Sequence, residues 1–341
     1  VESASTSSLR RKVLVLSIVP LMAICMFAAI LIINSYKQYK KAESLERSIY
    51  LSTKISAVIH ELQKERGRTA GFLGSGGREF KRELQEQRIL TDKKIADLED
   101  FVGKTYLASL PEKSRDLIKN VISSDLNSII EVRNKVDKLK ISMDEAVKFY
   151  TKLNDDLIEV IGSIAKLSSK AEITRELTAY ADLILAKEKM GLERAILSVA
   201  FAEDKFTKEL FEKYVTLKAE QKAFIKAFKL IAPDKIVRFY DHTLKGQVVE
   251  EVERMESIAS NNPFEGGFNI NPDYWFSTIT EKINLMKKVE DYISKTLISD
   301  IETVKAEAKK SLILTLTFSI TVIVLILILS FVIYRSVNLK K

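Results

Sequence analysis

Cysteine is almost missing from this chain. Cys25 stands alone inside an apolar run, so no intrachain disulfide can form and a thiolate metal cluster is excluded. Histidine is nearly as scarce, with only His60 and His242, and no dense His/Asp/Glu cluster accompanies either. Metal-dependent and histidine-based catalysis therefore have little to work with, and the expectation is a non-enzymatic protein without metal or cofactor. Glycine and proline supply 11 and 5 of the 341 residues, which leaves few loops and implies long helices. The middle of the chain also lacks an excess of one charge. Of the net +8, Glu2, Arg10, Arg11 and Lys12 account for +2, and Arg335, Lys340 and Lys341 for +3. What remains alternates in sign as on solvated helix faces, which argues against a nucleic-acid-binding surface.

Two long uncharged runs are present, Val13 to Ile33 and Ser311 to Tyr334. Each meets the roughly 20-residue requirement for a helix crossing the bilayer. The first exceeds the 7–15-residue apolar core usual in a signal peptide, and no cleavage signal follows it, so it is read as retained. Basic residues precede the first run and follow the second. The positive-inside rule then puts residues 1–12 and 335–341 in the cytoplasm, 13–33 and 311–334 in the membrane, and 34–310 outside it. The expected protein is a two-pass protein of the bacterial inner membrane with an extracytoplasmic, periplasmic or extracellular domain. Because the sequence begins at Val1 and stops soon after the second run, a cytoplasmic output domain is expected to lie beyond it.

Between the spans, helical periodicity is punctuated near Gly74–Gly77, Ser109–Pro111, Ile141–Ser142, Ser168–Ser169, Ala202–Asp204, Ala232–Pro233 and Asn261–Pro272. Ser142 with Glu145 and Ser169 with Glu172 have the spacing of capping boxes. Eight antiparallel helices return the chain to the membrane, so the expected fold is all-α: two up-and-down four-helix bundles, the first and last helices continuing into the spans. An echo relates the halves, with Glu65-Arg66 followed by Phe80 and Leu84, and Glu193-Arg194 followed by Phe206 and Leu210.

Arginines interrupt the apolar stripes. Ile55, Ile59, Leu62, Arg66, Ala70 and Leu73 step by three and four, as do Leu183, Lys187, Met190, Arg194, Leu197 and Phe201. Gly67 and Gly71 flank Arg66, where missing side chains permit close approach. Arg66, Arg194 and Arg254 each sit six to eight residues before the distal end of helices expected to run in one direction, which puts them at one height. Guanidinium groups at one level repel unless an anion lies between them, and their paired donors match a small planar oxyanion. The plain alternative pairs Arg66 with Glu61 or Glu65, Arg194 with Glu188 or Glu193, and Arg254 with its neighbouring glutamates. Arg68 is read as solvated, the two histidines as structural or exposed, and Trp275 as a packing anchor at a helix start.

At Glu61 to Arg68, Gln87-Arg88 with Thr91-Asp92, Lys187-Glu188 through Gly191 to Ala195, and Trp275 through Thr278, the sequence resembles the nitrate- and nitrite-sensing family. That domain occurs in bacterial receptors and transcription antiterminators. The resemblance spans landmarks from about residue 50 to 295. It implies a double four-helix bundle that binds nitrate or nitrite between helices through arginines, here Arg66, Arg194 and, less closely matched, Arg254, with Gly67 beside them. It also implies a symmetric homodimer and a chemoreceptor, kinase or related transducer acting through a cytoplasmic signalling module. The glycine-rich turn at Gly74 to Gly77 departs from the family pattern. The expected function is a transmembrane receptor that binds the anion and passes a helix shift across the membrane. Its rivals are a receptor for another organic anion or a binding protein, and a ligand-free helical scaffold.

Overall fold

The structure is a computed structural model that describes residues 2–103, 112–166, 168 and 170–339. Every regular element in it is helical: α1 (Glu2–Gly74), α2 (Lys81–Gly103), α3 (Glu112–Asn120), α4 (Ile129–Asp137), α5 (Met143–Ala165), α6 (Ala171–Ala202), α7 (Lys208–Ile231), α8 (Asp234–Thr243), α9 (Gln247–Asn261) and α10 (Pro272–Leu339), with a π turn at Val121–Asp125 between α3 and α4. The chain divides into two compact units, Arg47–Asp300 and the paired arms Val1–Glu46 with Ile301–Lys341.

Within Arg47–Asp300 the helices form two bundles. In the first, α1 meets α2 through Gln87 and Glu61, α4 through Arg133 and Glu65, and α5 through Tyr150 and Glu65. In the second, α6 meets α7 through Gln221 and Glu193, α7 meets α9 through Lys218 and Glu256, and α8 meets α10 through Lys235 and Asp300. The seam between bundles is made by α1, α5, α6 and α10. There Ser56 and Lys187 both reach the fully buried Glu290. Apolar packing supplies most of the cohesion: Ile55, Ile59 and Leu62 of α1, Leu183 and Leu197 of α6, and Trp275 and Ile279 of α10 are all within 1% of complete burial.

Local signals account for most boundaries. Ser142 accepts from the Glu145 amide while the Glu145 carboxylate accepts from the Ser142 amide, so the first capping box is formed. Ser169 lies outside the described residues, as do Ser109 to Pro111; α6 starts after Lys170 without a side-chain cap. Thr207 caps α7 by accepting from the Leu210 amide. Two expected helices are broken instead of continuous. The third gives way at the π turn Val121–Asp125, and the seventh breaks at Leu244–Gly246, where Gly246 takes φ 98°. On α1 the buried face also drifts past Arg66, so Thr69 and Phe72 are buried while Ala70 and Leu73 are half-exposed. The echo between halves is only partly structural, because Phe206 is buried against Tyr214 whereas Phe80 is exposed at φ 63°.

The paired arms are held by Ser35 and Thr315, 3.2 Å apart, and by Lys305 and Glu46 at 2.6 Å. Each arm carries an apolar stretch long enough to cross a membrane by length and composition, and its large side chains, among them Met22, Phe27, Phe318 and Phe331, are exposed.

Candidate functional site: two crossed arginines

Arg66 leaves α1 at the seam and is 4% exposed. Its Nη1 donates to Oε1 of Glu188 on α6 and to Thr151 Oγ1 on α5, the latter at 2.8 Å. Glu188 is itself fully buried, and its second oxygen accepts from Gln63 at 2.7 Å and Asn154 at 3.3 Å. Burying a carboxylate without partners is costly, and three donors from two helices, α1 and α5, meet that cost. The pairing runs across the seam, so the alternative of Arg66 bonding along its own helix is corrected: Glu61 instead binds Lys64 and Gln87, and Glu65 binds Arg133 and Tyr150.

Arg194 leaves α6 six residues beyond Glu188, nearly two turns on, and is half-buried. It has neither of the expected carboxylate partners; among the described residues no carboxylate lies within ion-pairing distance of it. Its Nη1 donates to Thr280 Oγ1 at 2.9 Å, and its guanidinium lies 4.5 Å from the Phe276 ring centre, both on α10. Trp275 donates from Nε1 to the Arg194 carbonyl at 3.0 Å and packs edge-on to Phe201, so it is the anchor its position suggested and also fixes the backbone at the site.

Two glycines explain how the cations fit. A Cβ built on Gly67 would meet Nη2 of Arg194 at 3.0 Å, and one built on Gly191 would meet Nη2 of Arg66 at 3.3 Å. Each guanidinium thus lies against the bare backbone of the other's helix. Gly67 admits a side chain here, not a neighbouring backbone, and Gly71 likewise seats the Phe80 ring. Neither Nη2 has a hydrogen-bond partner among the described residues. Burial, then the neighbouring Arg66 charge, pulls Arg194 down to about 10, with Glu188 working the other way. Arg194 stays cationic at neutral pH. Two guanidinium groups against one buried carboxylate leave a surplus positive charge; Asp155, which also feels the Arg66 charge, sits at an exposed position of α5.

Arg254 is not brought to this pair. The buried stripe of α9 is Val249, Val252, Met255, Glu256 and Ala259, and Arg254 falls off it. Its guanidinium is exposed and forked onto Glu251 at 2.7 and 2.8 Å, which corrects its assignment to the site. Arg68 is not free either, since it donates to Gln87. Sequence reasoning missed Gly191, Thr151, Thr280 and Phe276. The one available signal was Gly191, an unfavourable residue in a helix interior three positions before Arg194.

Comparison with known proteins now bears on this geometry. The family profile described as nitrate and nitrite sensing matches residues 57–298, which contain both arginines and both glycines. The nitrate regulatory protein of Klebsiella oxytoca is 23% identical over 270 residues, covering 77% of this chain and 65% of that protein. The chain therefore spans just under two thirds of that relative's length. The solved structure of the NasR transcription antiterminator superposes with a TM-score of 0.70 at 19% identity, over 83% of this chain and 80% of that one, a likeness of fold.

Proposed function

Because the chain belongs to the nitrate- and nitrite-sensing family, we propose that Arg66 and Arg194 clamp a nitrate or nitrite ion between α1 and α6. The observation that carries this reading is the reciprocal seating of the two guanidinium groups, each with an unpaired Nη2, around a single surplus positive charge. A monovalent planar oxyanion can accept from one Nη2 of each arginine and neutralise that surplus. A dianion would overshoot it. Glu188, with Gln63, Asn154 and Thr151, holds Arg66 in place before the ligand arrives, which lowers the ordering cost of binding. The protein is on this reading a sensor without catalytic chemistry. Titration calorimetry of the full chain against nitrate, nitrite, acetate and sulfate tests it: heat is expected with the first two, and its absence for both overturns the clamp.

The same proposal makes the protein a two-pass membrane receptor. The apolar stretches of α1 and α10 present their large side chains outward, as hydrocarbon requires, and the basic residues at both chain ends favour a cytoplasmic location for those ends. Ligand enters at helices α1 and α6, and Arg194 is held to α10 by Thr280 and Phe276. Both α1 and α10 are single helices that also carry the apolar stretches, so a shift at the clamp has a continuous route along them. The ligand drives that shift only by preferring one arrangement. A symmetric dimer and a cytoplasmic signalling partner belong to the same reading. Single cysteines introduced at exposed positions of residues 47–300 in a Cys25→Ser background should be labelled by an impermeant reagent in intact cells, and their protection would overturn this topology.

A further inference from the structure

A second buried polar cluster lies between α6 and α9, and the anion reading makes no use of it. Glu193 is fully buried; Glu256, facing it from α9, is 8% exposed. One ammonium joins them, Lys218 Nζ lying 3.4 Å from Glu193 Oε1 and 2.8 Å from Glu256 Oε2, and each carboxyl acts on the titration of the other. Each keeps one buried oxygen, Oε1, that receives no hydrogen bond. The surrounding groups do not supply one. From α7, Gln221 donates to Glu193 Oε2 at 2.6 Å, Lys218 bonds Glu256 Oε2 at 2.8 Å and stands 3.4 Å from Glu193 Oε1 without hydrogen-bond geometry, and Tyr214 is engaged with Ser260. From α10, Lys282 stands 3.9 Å from Glu256 Oε1.

Two buried carboxylate oxygens without a donor, on side chains that share one lysine, are a costly arrangement, whereas one hydrogen held between the two carboxyls relieves both. We propose that Glu193 and Glu256 share a proton, so that the second bundle contains a buried proton-binding site between α6 and α9. The electrostatics agree in direction. Burial and the Glu256 charge push Glu193 up to about 8, while Lys282 and Lys218 overcome burial to hold Glu256 below the usual carboxylate range. The proton therefore resides on Glu193 and is donated to Glu256. This site stands independently of the anion clamp, although Glu193 directly precedes Arg194 on α6.

A raised folded-state pKa favours folding most below the ordinary carboxylate range, and that stability is lost as pH rises towards the folded value. Glu193→Gln carries its N–H permanently: the amide can donate to Glu256 while its oxygen still accepts from Gln221. In the detergent-solubilised full chain, the melting temperature of Glu193→Gln relative to the unsubstituted protein should climb by at least about 3 °C between about pH 5 and about pH 9. The infrared spectrum near neutral pH should lose the intensity of one protonated carboxyl. If Glu193→Gln does not fold, Glu256→Gln carries the same two measurements. A melting-temperature difference that stays constant with pH, or an infrared spectrum that keeps the carboxyl intensity, overturns the proposal.

Discussion

Nη2 of Arg194 lies 3.0 Å from the point where a Cβ at position 67 would sit, so the proposed clamp depends on Gly67 lacking that atom. The obstructed atom is the free end of a flexible side chain, not backbone. An added methyl group at this position consequently displaces the guanidinium without breaking the bundle. Gly67→Ala should keep its melting temperature within about 2 °C and weaken nitrate binding about tenfold, close to 1.4 kcal/mol, by calorimetry. Gly191→Ala, with slightly more room at 3.3 Å, should do the same to a smaller extent.

The two arginines should differ sharply in what their loss costs. Arg66→Ala leaves Glu188 buried without its cation, a change worth about 3–5 kcal/mol. Arg194→Ala removes a half-buried charge that no carboxylate balances and that Arg66 repels, so stability should change by less than about 1 kcal/mol while anion binding disappears. Denaturant titration alongside calorimetry reads both, and equal destabilisation by the two variants would contradict the asymmetry.

Arg254→Ala serves as the surface control. Among the described residues its hydrogen-bond partner is Glu251 on an exposed face, so both stability, within about 0.5 kcal/mol, and nitrate affinity should remain unchanged. Any loss of affinity there would return Arg254 to the site.

The seam pair Lys187 and Glu290 should show the behaviour of a buried ion pair. Lys187→Met strands a carboxylate beside Lys287 and Ser56 and should cost about 3 kcal/mol or more, whereas the double change Lys187→Met with Glu290→Leu should recover much of that loss. Thermal or denaturant melts of the three proteins form the test.

His60 gives a pH signature of opposite sign to Glu193. Burial, and then Lys187, pull it down to about 3, so it stays neutral in the folded chain while the unfolded chain takes up a proton near the ordinary histidine value. Its stabilisation is full above that ordinary value and is lost as pH falls towards 3. His60→Asn should therefore lose less melting temperature than the unsubstituted protein between about pH 7 and about pH 4.5.

Much of this fold is written in local signals. The Ser142 box, the breaks at Gly74, Ala232-Pro233 and Asn262-Pro263, and the stripes that place Arg66 and Lys187 inward all follow from near-neighbour chemistry. The π turn at Val121–Asp125 follows no such rule, since Val-Ile-Ser-Ser-Asp carries neither glycine nor proline. The break at Leu244–Gly246 does contain a glycine, but one glycine inside a periodic run is also compatible with an unbroken helix. Arg254 shows what height along a helix leaves out, namely rotation: two residues past Val252, it points away from the stripe that packs. The partners of Arg66 could not be read from its own helix, because Glu188, Thr151 and Gly191 reach it through lateral packing of α1 on α5 and α6.

Trp275 clasps the carbonyl of the very residue whose guanidinium forms half of the proposed clamp. That tether leaves little slack between the main chain at 194 and the opening turn of α10. On the proposed reading, a pull on the arginine head would be delivered to α10 as a push or twist of a stiff rod, with little of it absorbed by side-chain sway.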